Sequence, residues 1–383
     1  MKFKKLKLFV LTIITAIFIS AGAFAETLKI GSMGPLTGPY AADGNDIANG
    51  VRSAIAVIED EGGIEGFDKI ELFAEDTACD PRQAVAAANK LINSEVIGVI
   101  GAYCSSATIP ASEVLAEEDI IMITPASTNE KVTERELKYM FRMCGRDDDQ
   151  SKAAVSFLKY KKAKTVFIID DKTTYSQGLA ENVAKGCEAA GIKVILHDHV
   201  NQGDKDFSAV LTKLKSKAPD ALYMSLQNSA TGSLMAIQAK RIGIEATILS
   251  QDAVYHPQFI DIAKDAAEGI YLTCGFMDKG TESYKNFIAK FQKITGTDKS
   301  GAYSVYAYDS AITLLKAIKK TGGTDPAKIK EAMLKMNYQG ASKNISFKEN
   351  GDSSSSYIIF KVENKNFKNH WNPETGELFS ETK

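Results

Sequence analysis

Two short stretches place hydroxyl groups where a carboxylate or another anion could be held. Tyr103-Cys104-Ser105-Ser106-Ala107-Thr108 follows one apolar run, and Thr124-Pro125-Ala126-Ser127-Thr128-Asn129 closes another. If each run is a strand and each hydroxyl stretch opens a helix or turn, free backbone N–H groups and the positive end of a helix dipole converge there. Ser105, Thr128 and the Ala126 backbone are then the candidate anion ligands. Ser and Thr are also preferred helix caps, so the same pattern fits two ordinary helix starts.

Covalent and metal chemistry find less support. The chain has four histidines, His197, His199, His256 and His370, and no serine sits in a G-x-S-x-G elbow. His197 and His199 would share one face of a strand as a metal pair might, but no third ligand is apparent. No G-x-x-x-x-G-K-[ST] phosphate loop occurs. Gly31, Gly34 and Gly38 follow the first strand and Glu75 and Asp76 end the second, which is the layout of a dinucleotide site. The helical pattern starts only near Asn45, however, so these glycines lack the tight turn against a helix N-terminus that such a site needs. Cys79 and Cys104 both follow strands at one sheet edge, where a disulfide is reasonable if those strands neighbour each other.

Short apolar runs alternate with helical patterns, the signature of strand-helix-strand units and parallel sheets. Strands are expected over 27–32, 70–75, 96–100 and 120–124. Ile47, Ala48, Val51, Ala54, Ile55 and Ile58 form one helical face over 45–61, Asp80-Pro81 caps and opens the next helix, and a third spans about 106–118. A second series follows Asp147, with strands near 165–170, 192–200, 221–225 and 246–250 and helices such as 176–190 and 229–242. After a strand at 269–275 come three helical patterns, 281–295, 302–320 and 325–336, without strands between them; they are expected to cover sheets already formed. The tail over 345–367 again has strand character. The expected fold is α/β: two doubly wound parallel-sheet lobes, with the chain crossing between them more than once.

Composition is that of a globular chain: 383 residues, 25% charged and 44% hydrophobic. Met1 to Lys7 is a basic segment, Leu8 to Ile19 an apolar run of 12 residues, and Ala23-Phe24-Ala25 a cleavage motif, together a secretory signal peptide over 1–25. The run is short of the roughly 20 residues needed to span a bilayer. Loss of Lys2, Lys4, Lys5 and Lys7 with the leader lowers the basic residues from 46 to 42 against 48 acidic, and so acid a balance argues against binding nucleic acid. No Cys lies near the cleavage site, so a freely soluble periplasmic protein is expected, without a lipid anchor. The five cysteines meet an oxidising compartment; an odd number leaves at least one unpaired, and the lack of C-x-x-C argues against a redox site.

Taken together, Gly31-Ser-Met-Gly-Pro-Leu-Thr-Gly-Pro39, Cys79-Asp-Pro-Arg-Gln-Ala-Val85, Cys104-Ser-Ser-Ala-Thr-Ile-Pro-Ala-Ser112, Met122-Ile-Thr-Pro-Ala126, Asp171-Lys-Thr-Thr-Tyr-Ser-Gln-Gly178 and Lys205-Asp-Phe-Ser208 resemble the periplasmic branched-chain amino acid-binding proteins. The resemblance implies a non-catalytic, two-lobed protein of the type I periplasmic binding fold. It would close on one free amino acid and deliver it to an ATP-driven permease of the inner membrane, as a monomer and without a cofactor. It places the family's paired cysteines on Cys79 and Cys104, its carboxylate ligands on Ser105, Ala126 and Thr128, and its second-lobe aromatic on Tyr175. The α-ammonium partner, usually Glu, falls on Asp252. A pocket Tyr is replaced by Gln227, a first-lobe aromatic aligns with Asp43, and Tyr103 stands at a usually aliphatic position.

The expected lobes are 26–144 with 275–349, and 145–274 with 350–383. An Asp43 facing the cleft opposite Gln227 and beside Tyr103 would favour a polar or cationic ligand; an Asp43 facing solvent would leave room for leucine, isoleucine or valine. Two other readings are a sensor lobe that reports an amino acid or amide to a membrane partner, and an exported nucleotide-dependent enzyme.

Overall fold

The computed structural model describes residues 26–380; the expected signal peptide over 1–25 lies outside the described residues. The first sheet is parallel throughout. It is built from β1 (Glu26–Gly34), β2 (Phe67–Asp76), β3 (Gly98–Ile100), β4 (Ile121–Thr124) and β5 (Met140–Arg142), in the order β2-β1-β3-β4-β5. β3, β4 and β5 are fully buried, and their apolar runs therefore show no alternation. Between them run α1 (Ala41–Asp60), α2 (Pro81–Asn93), α3 (Ser105–Glu117) and the short α4 (Lys131–Glu134). The expected Asp80 cap is present: its Oδ1 accepts from the N–H groups of Arg82 and Gln83 at 2.9 and 2.8 Å.

The second sheet holds β6 (Thr165–Asp170), β7 (Lys193–His199), β8 (Ala221–Ser225), β9 (Thr247–Ser250) and β10 (Tyr271–Gly275), all parallel. Their helices are α5 (Asp147–Tyr160), α6 (Thr174–Ala189), α7 (Ser208–Lys217), α8 (Ser229–Ile242) and α9 (Pro257–Ala263). The chain then returns to the first sheet, where α10 (Glu282–Thr295) and α11 (Ala302–Thr321) pack on α1, and α12 (Pro326–Leu334) packs on α11. A two-residue hairpin, β11 (Tyr338–Gln339) with β12 (Asn344–Ile345), follows. The tail adds β13 (Tyr357–Glu363), β14 (Asn366–Asn372) and β15 (Glu377–Leu378) antiparallel to the second sheet, whose order is β15-β14-β13-β10-β9-β8-β6-β7. The chain thus passes between the sheets after β5, after β10 and again before β13.

Three local expectations need correction. α1 begins at Ala41, behind a single 3-10 turn over Gly38–Tyr40, and not near Asn45. Gly44 makes this early start possible: a Cβ there would lie 2.1 Å from the Pro35 carbonyl oxygen, so only glycine lets the first turn of the helix close on the end of β1. β5 is a strand of only three residues and carries too little pattern to be seen in the sequence. Finally, β2 and β3 are not neighbours, because β1 lies between them. Cys79 and Cys104 are nevertheless joined, with their Cα atoms 5.5 Å apart, because the loops beyond the two strands reach over the end of β1. Cys144, Cys187 and Cys274 are buried free thiols, so no bond forms between Cys144 and Cys274.

Candidate ligand-binding site

The carboxyl ends of both parallel sheets face one cleft, which is the place an α/β sheet offers a ligand. The cleft is shut. The Tyr103 hydroxyl donates to the Gln227 carbonyl at 3.0 Å, Asn182 Nδ2 to Glu130 Oε1 at 2.6 Å, Asn228 Nδ2 to the Pro39 carbonyl at 3.3 Å, and Gln202 Nε2 to the Tyr40 hydroxyl. Inside, Tyr103, Ser105, Ala126, Tyr175, Gln227, Ala253 and Tyr303 line a narrow space.

Ser105 is the first residue of α3 rather than its cap. The cap is Cys104, whose sulfur is committed to the disulfide. The Ser105 hydroxyl is buried with no hydrogen-bond partner, and so is the Thr128 hydroxyl. An ordinary capping hydroxyl would be paired with its own helix. Burying an unpaired hydroxyl costs about 1–3 kcal/mol, which leaves Ser105 a free donor at the positive end of α3 and Thr128 another in the loop after β4. Neighbouring hydroxyls are used internally: Thr108 and Ser127 pair at 2.6 Å, and Thr124 Oγ1 accepts from the Ser127 N–H at 3.0 Å.

The loop carrying Thr128 is held by Arg142 at the end of β5. Its Nη1 donates to the carbonyls of Thr128 and Asn129 at 2.9 and 2.7 Å, while Nε and Nη2 donate to Asp352 Oδ1 at 2.8 and 2.7 Å. This guanidinium is fully buried. It fixes three carbonyl-bearing residues, 127–129, while its charge is neutralised from the tail of the chain.

On the facing side the cleft is acidic. Asp252 opens a 3-10 turn after β9, and its Oδ1 accepts from the Tyr175 hydroxyl at 2.6 Å. Burial raises its pKa, against the hydrogen bonds that stabilise its charge. Asp147, the first residue of α5, is wholly buried; both of its oxygens lack a hydrogen-bond partner, and the Thr128 hydroxyl lies beside them without reaching hydrogen-bond geometry. Burial holds this carboxyl well above the usual carboxylate range. Among the described residues no lysine or arginine forms a salt bridge with either acid. Ser105 and Thr128 thus carry buried hydroxyls without partners, while Asp252 and Asp147 carry buried carboxyls without a cation, Asp147 standing directly beside Thr128, whose carbonyl accepts from the Asp147 N–H at 3.0 Å.

Ser105, Ala126, Tyr103, Tyr175 and Gln227 line the cavity directly. Asp252 reaches it through Tyr175 and through its neighbour Ala253, and Thr128 through the loop that carries Ala126. Asp43 is not among the lining residues. It is buried, in the first turn of α1 close to Tyr40, Tyr103 and His256, so the solvent-facing orientation is not found and its expected place beside Tyr103 is. Burial pushes its carboxyl up to about 7, opposed by His256. Asp76, the acid that could have served a ribose, instead accepts from the Leu36 and Ala78 N–H groups, both at 2.8 Å, and holds the loop after β1.

Sequence reasoning missed Tyr303 at the start of α11, Ala253, Asp147 and Arg142. Asp147 begins an acidic triplet that reads as an ordinary helix start, and Tyr303 lies more than a hundred residues from the other walls of its lobe.

A family model described as periplasmic binding protein matches residues 27–367. A Pseudomonas aeruginosa protein named leucine-, isoleucine-, valine-, threonine-, and alanine-binding protein is 37% identical over 336 residues, 88% of this chain and 89% of the relative. A Leu/Ile/Val-binding protein of Rhizobium johnstonii is 35% identical over 359 residues, 91% of this chain and 96% of its own. Among solved structures, a leucine-binding protein of Thermotoga maritima superposes with a TM-score of 0.83 at 30% identity, covering 91% of this chain and 99% of that one. With a family model over most of its length and relatives of this identity and coverage, the chain belongs to the periplasmic binding protein family.

Proposed function

We propose that the protein binds one free L-α-amino acid with an uncharged side chain, of the set leucine, isoleucine, valine, threonine and alanine, and passes it to the permease of an ABC importer in the periplasm. The observation that supports this reading is the unpaired buried hydroxyl of Ser105 in the wall of the cleft, with Thr128 on the loop of Ala126, together with the cation-free carboxyls of Asp252, bonded to the wall residue Tyr175, and of Asp147, beside Thr128. The ligand carboxylate meets Ser105, Thr128 and the N-terminus of α3, and the ammonium meets Asp252 with Asp147 nearby. Its side chain lies among Tyr103, Tyr303 and Gln227. The position of Asp43 outside the lining supports an uncharged side chain over a cationic one. The lobes that close are 26–144 with 275–349 and 145–274 with 350–383, acting as a monomer.

Calorimetry and thermal shift against the twenty amino acids and NAD test the proposal. One-site binding raises native stability by about 4 kcal/mol at a thousandfold excess over Kd, which is readily seen as a higher Tm. Heat with leucine, isoleucine or valine is expected, and none with lysine or NAD. Heat with NAD alone, or with no amino acid, overturns it.

A further inference from the structure

The second lobe carries a cluster that amino-acid binding does not use. β7 is the edge strand of its sheet, and its parallel register on β6 sets His197 opposite Ile168 and His199 opposite Asp170. With an i, i+2 spacing both rings stand on the same face of the strand. Asp170 Oδ2 lies 2.6 Å from His197 Nε2 and 2.8 Å from His199 Nδ1. The missing third partner of the His-x-His pair is therefore Asp170, 27 residues earlier in the chain.

We infer that Asp170, His197 and His199 form a binding site for a divalent transition-metal ion of the zinc class. Three ligand atoms, one from each side chain, lie within 4.8 Å of one another. Tetrahedral zinc bonds of roughly 2.0–2.2 Å put neighbouring ligand atoms roughly 3.3 Å apart, so the two contacts to Asp170, at 2.6 and 2.8 Å, need open by only about 0.5–0.7 Å to admit the ion. Two imidazoles and one carboxylate suit zinc, copper(II) or nickel(II) rather than calcium or magnesium, which prefer oxygen-only sets. The carboxylate is prepared for the role. Its side chain is fully buried, its other oxygen accepts from the Lys172 N–H at 2.8 Å, and no lysine or arginine among the described residues competes for it. The rings remain reachable from solvent, His197 being 21% and His199 40% exposed. Nearby Asp198 points elsewhere and is taken by Lys213 at 2.5 Å. Three protein ligands leave a fourth position open for water or an external donor.

Placement gives the site a consequence. Asp171, next to Asp170, accepts the Gln227 N–H at 2.7 Å, and the loop that follows His199 carries Gln202, which bonds Tyr40 across the cleft. A bound ion braces the end of β6 and β7 behind that cleft wall.

The test is calorimetric titration of the untagged protein with zinc chloride, with cobalt(II) absorption as a spectroscopic check. One ion per chain is expected, with visible cobalt bands of tetrahedral intensity. His197→Ala and the half-exposed His199→Gln are each expected to weaken zinc by at least ~100-fold, beyond what loss of an outer partner costs. Circular dichroism confirms that both variants fold, and His256→Gln serves as the control that leaves binding intact. Absence of saturable zinc binding below millimolar, or unchanged affinity in the His197→Ala/His199→Gln double variant, overturns the assignment.

Discussion

Replacing Asp252 by Asn exchanges one carboxylate oxygen for an amide nitrogen of nearly the same volume, so no cavity is created and the acceptor for the Tyr175 hydroxyl, now at 2.6 Å, is retained. What is lost is a negative charge inside a closed cleft. Truncating one partner of a buried, hydrogen-bonded charge pair costs about 2–5 kcal/mol. At about 1.4 kcal/mol per tenfold, Kd for leucine should rise by about 30- to 4,000-fold, towards the lower end because the Asn oxygen still accepts from the ammonium. The free protein should behave in the opposite sense. Burial penalises the charge of Asp252 when no cation is present, so Asp252→Asn should leave the Tm of the unliganded protein unchanged or higher. Calorimetry with leucine and with 4-methylpentanoate, which lacks only the ammonium, separates the charge from everything else. The natural protein should prefer leucine strongly, and the variant should lose most of that preference. Leucine affinity within threefold of the natural value, or a fall in unliganded Tm that matches the loss of affinity, would refute the assignment of Asp252 as the ammonium partner.

Ser105→Ala should weaken leucine by about 1–3 kcal/mol without lowering the stability of the free protein, because the hydroxyl has no partner until the ligand arrives; titration calorimetry and a melting curve check the two halves. Asp43→Leu should leave leucine affinity within about threefold. The carboxyl of Asp43, raised to about 7, binds its proton more readily in the native than in the unfolded state. Its contribution to stability is therefore present at low pH and is lost as pH rises from about 4 to 7, by an upper bound of about 4 kcal/mol. Urea unfolding of Asp43→Asn should accordingly show a shallower decline over that window and greater stability at pH 8. Arg142→Met takes from Asp352 its fully buried partner, leaving Arg146 at 3.1 Å, and should cost towards the lower end of about 3–5 kcal/mol, read from denaturant midpoints, whereas a loss under 1 kcal/mol would show that the pair is not what holds the loop at 127–129. Breaking the 25-residue-spaced disulfide with Cys79→Ser and Cys104→Ser should cost about 3–4 kcal/mol, and alkylation of the unfolded, unreduced protein should label Cys144, Cys187 and Cys274 alone.

Much of this molecule is local, and that part the sequence determines by itself. The strands at 165–170 and 221–225 and the helix at 229–242 lie where their apolar runs and their Asn and Gly boundaries put them, because the hydrophobic period and the caps act over a few residues. Ser105 and Thr128 were legible for the same reason: a hydroxyl just beyond a buried strand is a local pattern. The resemblance that set Asp252 and Tyr175 beside them was legible from motif order, not from physical derivation. Tertiary structure decided the rest. Asp43 is buried because α1 starts four residues earlier than its periodicity shows, a start that depends on Gly44 fitting against Pro35. Tyr303 reaches the cavity only after the chain has crossed back to the first sheet, and Asp170 meets His197 and His199 only through the register of β6 on β7. Pairing between segments far apart in sequence is fixed by burial and by the order of strands in a sheet, which short-range propensity does not encode.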